Sequence, residues 1–149
     1  MSLMMVDKPT NNRSKAEWPA AVRDDFRREA VNPNGCVGHV LVSETDKVRV
    51  WRVYLRPGER IGFHRHVLDY FWSAVTSGRG RQHFNDGETR EYTYRAGETR
   101  HETYGPGEYK VHDLENIGDT DLIFVTVEFL DSANKPLPVP QARRIAGSA

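Results

Sequence analysis

The 149-residue chain holds one cysteine, Cys36. No intrachain disulfide can form, and no multi-cysteine zinc module can be built. Cys36 opens a strand-like run with no obvious partner, so a buried structural thiol is expected. Net charge is missing too: Lys plus Arg number 21, and so do Asp plus Glu. That balance gives no broad nucleic-acid footprint and no pull toward an anionic membrane. No apolar run is long enough to span a bilayer. The opening "MSLMMVDKPTNNRSK" lacks the apolar core of a secretory signal. The expectation is a cytoplasmic protein that binds neither nucleic acid nor membrane. A Gly-x-Ser-x-Gly elbow, a phosphate-binding glycine loop and a dinucleotide fingerprint are also absent, which sets aside the enzyme classes built on them.

What the chain does have is many short strand-like runs. Its length suits one domain with one core. Residues 1–14 are polar, with Pro9 and paired Asn11–Asn12, and read as a leader without regular structure. Residues 15–35 read as a short helix and a turn. Trp18, Val22 and Phe26 recur at helical spacing. Ser14 offers an N-cap, but Pro19 favours a start nearer Trp18. "NPNG" at 32–35 is a turn. From 36 to 131, runs rich in Val, Tyr, Phe and Thr alternate with Gly and Asp-Gly turns. "KVRVWRVYL" puts Trp51, Val53 and Leu55 on one face with Arg49, and Val50, Arg52 and Tyr54 on the other. "NDG" at 85–87 is a hairpin signal. So many close strands without helical crossovers predict an all-β barrel or sandwich. Residues 132–149 are Pro-rich and polar and read as an extended arm.

The functional signal is "GFHRHVLDYFW" at 62–72. On a strand, His64 and His66 point to one face, about 6.5–7 Å apart along the backbone. That is half of a metal site. His112, in "YKVHDLEN", is the best third ligand. Histidines so placed can equally serve as polar groups bonded to backbone carbonyls.

Two spacings resemble the cupin superfamily. Gly58, His64, His66 and Gly78 follow its first motif. His112 and Asn116 follow the end of its second. The likeness covers about residues 45–130, and the chain looks like the small single-domain bacterial cupins. It implies a double-stranded β-helix (a jelly-roll barrel), here with a short N-terminal helix. It also implies a metal held by His64, His66 and His112, and a homodimer, with the C-terminal arm as a segment that could cross to the partner. The sequence departs from the pattern twice. Where the family carries a glutamate ligand, this chain has Tyr70 and Phe71. By alternation Tyr70 shares the histidine face, whereas Asp69 points away. Before His112, Gly107 and Tyr109 stand where a proline and a glycine are expected. "ETRHETYGPGEYKVH" carries a few extra residues, including His101 and Glu102. Tyr70, His101 and Glu102 are the candidates for a fourth ligand.

Three imidazoles suit iron, zinc, nickel, manganese or copper rather than calcium or magnesium. The set resembles the iron site of cupin thiol dioxygenases. The leading expectation is an iron-dependent dioxygenase of a small organic molecule, with Tyr70 as a catalytic donor near the open face. Two alternatives stay open: a metal-free epimerase or isomerase using a His–Tyr acid–base pair, and a non-catalytic ligand-binding barrel. Arg52, Arg81 and Arg100 could give the pocket a carboxylate fork. His83 is a weaker ligand candidate, His39 reads as structural, and Asn116 as a turn residue.

Overall fold

Alternating apolar residues become the inner faces of strands in the computed structural model, which describes residues 6–11, as backbone, and 15–145. Among the described residues there are ten strands and one α-helix. The strands are β1 (Val6–Asn11), β2 (Val40–Glu44), β3 (Val48–Leu55), β4 (Arg60–His66), β5 (Tyr70–Ala74), β6 (Gly78–His83), β7 (Thr89–Tyr94), β8 (Thr99–Glu102), β9 (Lys110–Asn116) and β10 (Leu122–Phe129); the helix is α1 (Ala20–Val31). Two five-stranded antiparallel sheets face each other, in the orders β1-β7-β6-β9-β4 and β2-β3-β10-β5-β8. This is the expected all-β barrel with a short N-terminal helix. No described helix is long and apolar enough to cross a membrane.

The period of two sorts the side chains. Val53 and Leu55 of β3 meet Ala74, Tyr94, Leu114, Leu122 and Phe124 in one buried cluster between the sheets. Trp72 packs edge-on against Tyr94 and Phe124, at 5.7 and 5.6 Å. Hairpin β6–β7 closes at "NDG": Gly87 takes φ +95°, a conformation glycine adopts without penalty. Asn116 fixes another turn, donating from Nδ2 to Leu55 O and Thr120 O while Oδ1 accepts from Gly118 N.

α1 covers the outer face of the first sheet. Trp18 and Val22 pack on Phe63 and Val111, with Phe26 half-buried beside them. Pro19 sits just before the helix, where its missing N–H costs nothing. Ser14 lies outside the described residues. Arg65 pairs with buried Glu29 at 2.9 Å, and Arg60 with Asp25 at 2.9 Å, so charge as well as apolar contact holds the helix down.

One terminal expectation needs correction. The leader forms a strand over Val6–Asn11, antiparallel to β7; residues 1–5 and 12–14 lie outside the described residues. β7 would otherwise be a sheet edge with open backbone groups, and an edge strand tolerates Pro9. The arm runs along its own second sheet. Arg144 bridges Leu41, Arg49 Nη1 donates to Leu137 O at 3.0 Å, and Val139 packs on the Cys36–Trp51 cluster. The exposed edge of β2 supplies the reason. Cys36 is buried there, and burial raises its thiol pKa.

Candidate metal centre

β4 and β9 are hydrogen-bonded neighbours whose register sets His64 opposite His112 and His66 opposite Lys110. The register slips between Ile61 and His64. This bulge re-phases the alternation, so that Ile61 and His64, three apart, both face inward. Gly62 sits at the slip, where a Cβ would meet Asp25 Oδ2 at 2.8 Å. Asp25 needs that approach to accept the Phe63 N–H.

The three imidazoles converge. Ring centroids lie 4.7–5.1 Å apart, with each pair of planes near perpendicular. One ring nitrogen from each lies within 4.8 Å of the others. His64 Nδ1 is 2.9 Å from Gly62 O, which can only accept. The Nδ1 proton therefore sits there, and Nε2 is left with its lone pair free. His112 Nδ1 is 2.7 Å from Gln82 Oε1, and Gln82 Nε2 donates in turn to the Tyr94 hydroxyl. Such outer contacts orient metal-binding histidines. His66 Nδ1 is buried without a partner.

Electrostatics favour neutral rings. Burial pushes the His64 pKa down to about 4. It pushes His66 and His112 well below the ordinary value, with the neighbouring imidazoles and Lys110 adding to the effect. Neutral imidazole is the form that binds metal. His66 Nε2 and His112 Nε2 stand 3.1 Å apart. Two lone pairs at that distance repel unless a proton or a cation lies between them. A cation about 2.1 Å from each of two nitrogens at right angles needs them about 3.0 Å apart. The donor set therefore fits a divalent transition metal.

The expected fourth ligands do not join this group. Tyr70 occupies the inward position of the family's glutamate, but its ring stacks on His66 at 4.1 Å and its hydroxyl accepts from Lys110 Nζ at 2.7 Å. His101 is exposed and packs on Phe71, the outward neighbour of Tyr70. Glu102 faces inward opposite Tyr70, outside the three-nitrogen group. Asp69 accepts from Tyr104 N in a turn. His83 faces the other way, beneath α1, bonded to Asp113 and packed on Trp18. The arginine fork also dissolves. Arg52 is exposed, and Arg81 pairs with Glu91 and Glu115. Arg100 alone of the three is buried.

A cavity of about 60 Å³ opens at the cluster, walled by Val53, Ile61, Leu114 and Phe124 with Tyr70 and the histidines. It takes a molecule of few heavy atoms. Sequence reasoning missed Gln82, Lys110 and Glu128. Lys110 stands two residues before His112, so alternation alone could have placed it on the same face. Gln82 needed the register.

Glu128 is 3% exposed and accepts the Trp51 Nε1–H at 2.8 Å. Burial raises its pKa from 4.5 to about 7, against the opposing Trp51 bond and Arg49 charge. Between those values the folded protein holds a proton that the unfolded chain releases. Stability from this group is therefore full below about pH 4.5 and is lost as pH rises through about 7, by roughly 3 kcal/mol. The buried imidazoles act with the opposite sign below pH 6.5. The difference between native protein and Glu128→Gln isolates the glutamate. Denaturant midpoints should show the variant gaining on the native protein from pH 5 to pH 8; parallel curves would refute this.

No family model matches the chain, and no curated protein matches it. Solved structures do. A cupin domain from Bordetella pertussis Tohama I is 24% identical, with a TM-score of 0.53, over 66% of this chain and 96% of its own. A conserved protein with a double-stranded β-helix domain from Klebsiella pneumoniae is 27% identical, with a TM-score of 0.47, over 61% of this chain and 74% of its own. Oxalate decarboxylase of Bacillus subtilis, a protein with Mn(II) centres, is 22% identical, with a TM-score of 0.45, over 62% of this chain and 23% of its own. The likeness to the Bordetella domain is one of fold: the chain carries the cupin double-stranded β-helix.

Proposed function

We propose that the chain is a metal-dependent cupin in which His64, His66 and His112 hold a divalent transition metal, iron ahead of zinc, nickel or manganese, and that it acts as a dioxygenase on a small organic molecule. One observation carries the reading: three imidazoles converge, those of His64 and His66 buried and that of His112 half-buried, and two have their outer nitrogens already engaged. Bound iron would supply adjacent positions for dioxygen and substrate.

The chain's own residues do the rest. Gly62 O and Gln82 Oε1 hold the Nδ1 protons of His64 and His112 and so aim Nε2 inward. Tyr70 fixes the His66 ring plane by stacking on it. Burial holds the Tyr70 hydroxyl pKa well above its ordinary value, so it keeps its proton at neutral pH and serves as a donor. The size of the apolar-walled cavity limits the ligand to few atoms.

The metal-free isomerase reading ranks lower. It needs His64 or His66 and the Tyr70 hydroxyl on two sides of one substrate; the His66 and Tyr70 rings lie stacked at 4.1 Å with no room between them, which leaves only His64 for that role. The test is oxygen uptake by iron-loaded protein against a panel of small acids and thiols, with His64→Ala as control. Uptake lost in the variant supports the dioxygenase. Full iron with no uptake favours the non-catalytic barrel. A homodimer belongs to the same proposal: Phe71, Val125, Val127 and Phe129 form a half-exposed apolar strip on the second sheet's outer face. Light scattering should give twice the 17.1 kDa chain mass, and a monomer mass would remove this part.

A further inference from the structure

The histidines enter the cavity from the first sheet, on β4 and β9; Thr126 enters it from the second, on β10. Thr126 stands opposite Trp51 of β3 and Trp72 of β5 in the register, on the buried face it shares with Phe124 and Glu128. The two facing sheets thus set a hydroxyl-bearing side chain across the cavity from the three imidazoles.

That hydroxyl has no hydrogen-bond partner among the described residues, although Thr126 is only 5% exposed. Its oxygen is not sealed in, as the orphan His66 Nδ1 is. In a side chain so little exposed, the open space it meets is the cavity it lines. Other polar groups of the lining already hold bonds: Gln82 joins His112 to Tyr94, and Tyr70 Oη accepts from Lys110. The Trp72 indole N–H is unpaired too, but Trp72 is half-buried and not confined to the cavity. Buried polar groups nearly always find a partner, so the partner of Thr126 belongs in the cavity.

The walls also select by charge. No carboxylate, ammonium or guanidinium lines the cavity. Glu128, the next inward residue after Thr126, is held by Trp51. A charged group lodged against Thr126 would lose its water and gain no counter-charge. An uncharged oxygen loses less and gains one hydrogen bond, since a hydroxyl both donates and accepts.

We propose that Thr126 is the specificity-determining residue of this cavity, its hydroxyl bonding a carbonyl or hydroxyl oxygen on the uncharged end of a small ligand that lies between it and the imidazole cluster. The inference rests on the metal-cupin reading for what holds the ligand's other end, but Thr126 is tested without metal.

The probes are acetone, isobutene and acetate, three molecules of one shape and size that differ in carrying a carbonyl oxygen, no polar atom or a charge. Each is titrated into chelator-treated and zinc-loaded full-length protein, followed by the methyl NMR signals of Val53, Ile61 and Leu114 in the cavity wall. Metal-free native protein should bind acetone more tightly than acetate. Thr126→Val should weaken acetone binding in both states by roughly three- to tenfold, the worth of one neutral hydrogen bond, and should not weaken isobutene. Thr126→Ser, which keeps the hydroxyl, should restore acetone binding. Equal acetone affinity in native and Thr126→Val protein, an equal loss for isobutene, acetate bound as tightly as acetone without metal, or no acetone binding in either state each overturns the proposal. Elemental analysis of the zinc-loaded sample reports on the metal separately: protein that holds no zinc removes the metal-cupin reading and leaves the metal-free Thr126 comparison to decide.

Discussion

Asp113→Ala is expected to lower folding stability by about 3–5 kcal/mol, the usual cost of leaving a buried charge network without one partner. Asp113 is fully buried. It accepts Arg60 Nε at 2.8 Å, the His83 backbone N–H at 2.6 Å and His83 Nδ1 at 2.9 Å. Arg60 continues to Asp25 on α1. Removing the carboxylate thus strands a guanidinium and an imidazole under the helix and loosens the link from helix to sheet. A domain of this kind has about 5–15 kcal/mol in all. Urea unfolding checks the size of the loss. A change below about 1 kcal/mol would mean that water replaces the carboxylate at little cost.

The second large effect is on metal. His64→Ala and His112→Ala should each reduce bound metal from near one per chain to less than about a tenth. Zinc sites bind with roughly 10–16 kcal/mol over four ligands, so one ligand is worth about 2.5–4 kcal/mol, a factor of about 60 to 700. The barrel should stay folded, because the apolar cluster between the sheets contains none of the three histidines. His83→Ala is the matching control. It too is a buried histidine, but it faces α1, so the variant should keep its metal. Metal retained by both ligand variants, or lost equally by His83→Ala, would contradict the assignment.

The strands were legible where one residue type alternates with another. "KVRVWRVYL" announced its inner face, and "NDG" its hairpin. The histidine pair was legible because period two holds within one strand. What a single strand cannot reveal is its neighbour. Gln82 meets His112 only because β6 and β9 adjoin, and the bulge that turns both Ile61 and His64 inward has no signal in "RIGFHRH". His101 and Glu102 show the same limit. Alternation says they face opposite ways, and only the pairing with β5 decides that Glu102 faces in. The leader was misread because a polar, proline-bearing segment looks unstructured until an open sheet edge offers it backbone partners.

The most direct test of the central claim is elemental analysis of untagged protein, purified without chelator and then reconstituted with iron(II), manganese(II), nickel(II) or zinc(II) at pH 8 and again at pH 5. The account expects close to one divalent metal per chain at pH 8. It expects occupancy to hold at pH 5, because burial keeps the His64 imidazole neutral down to about pH 4 and lowers the other two as well. Metal-free protein at pH 8 after every reconstitution, or metal already lost at pH 5 from a barrel that is still folded, would contradict a centre of three neutral imidazoles.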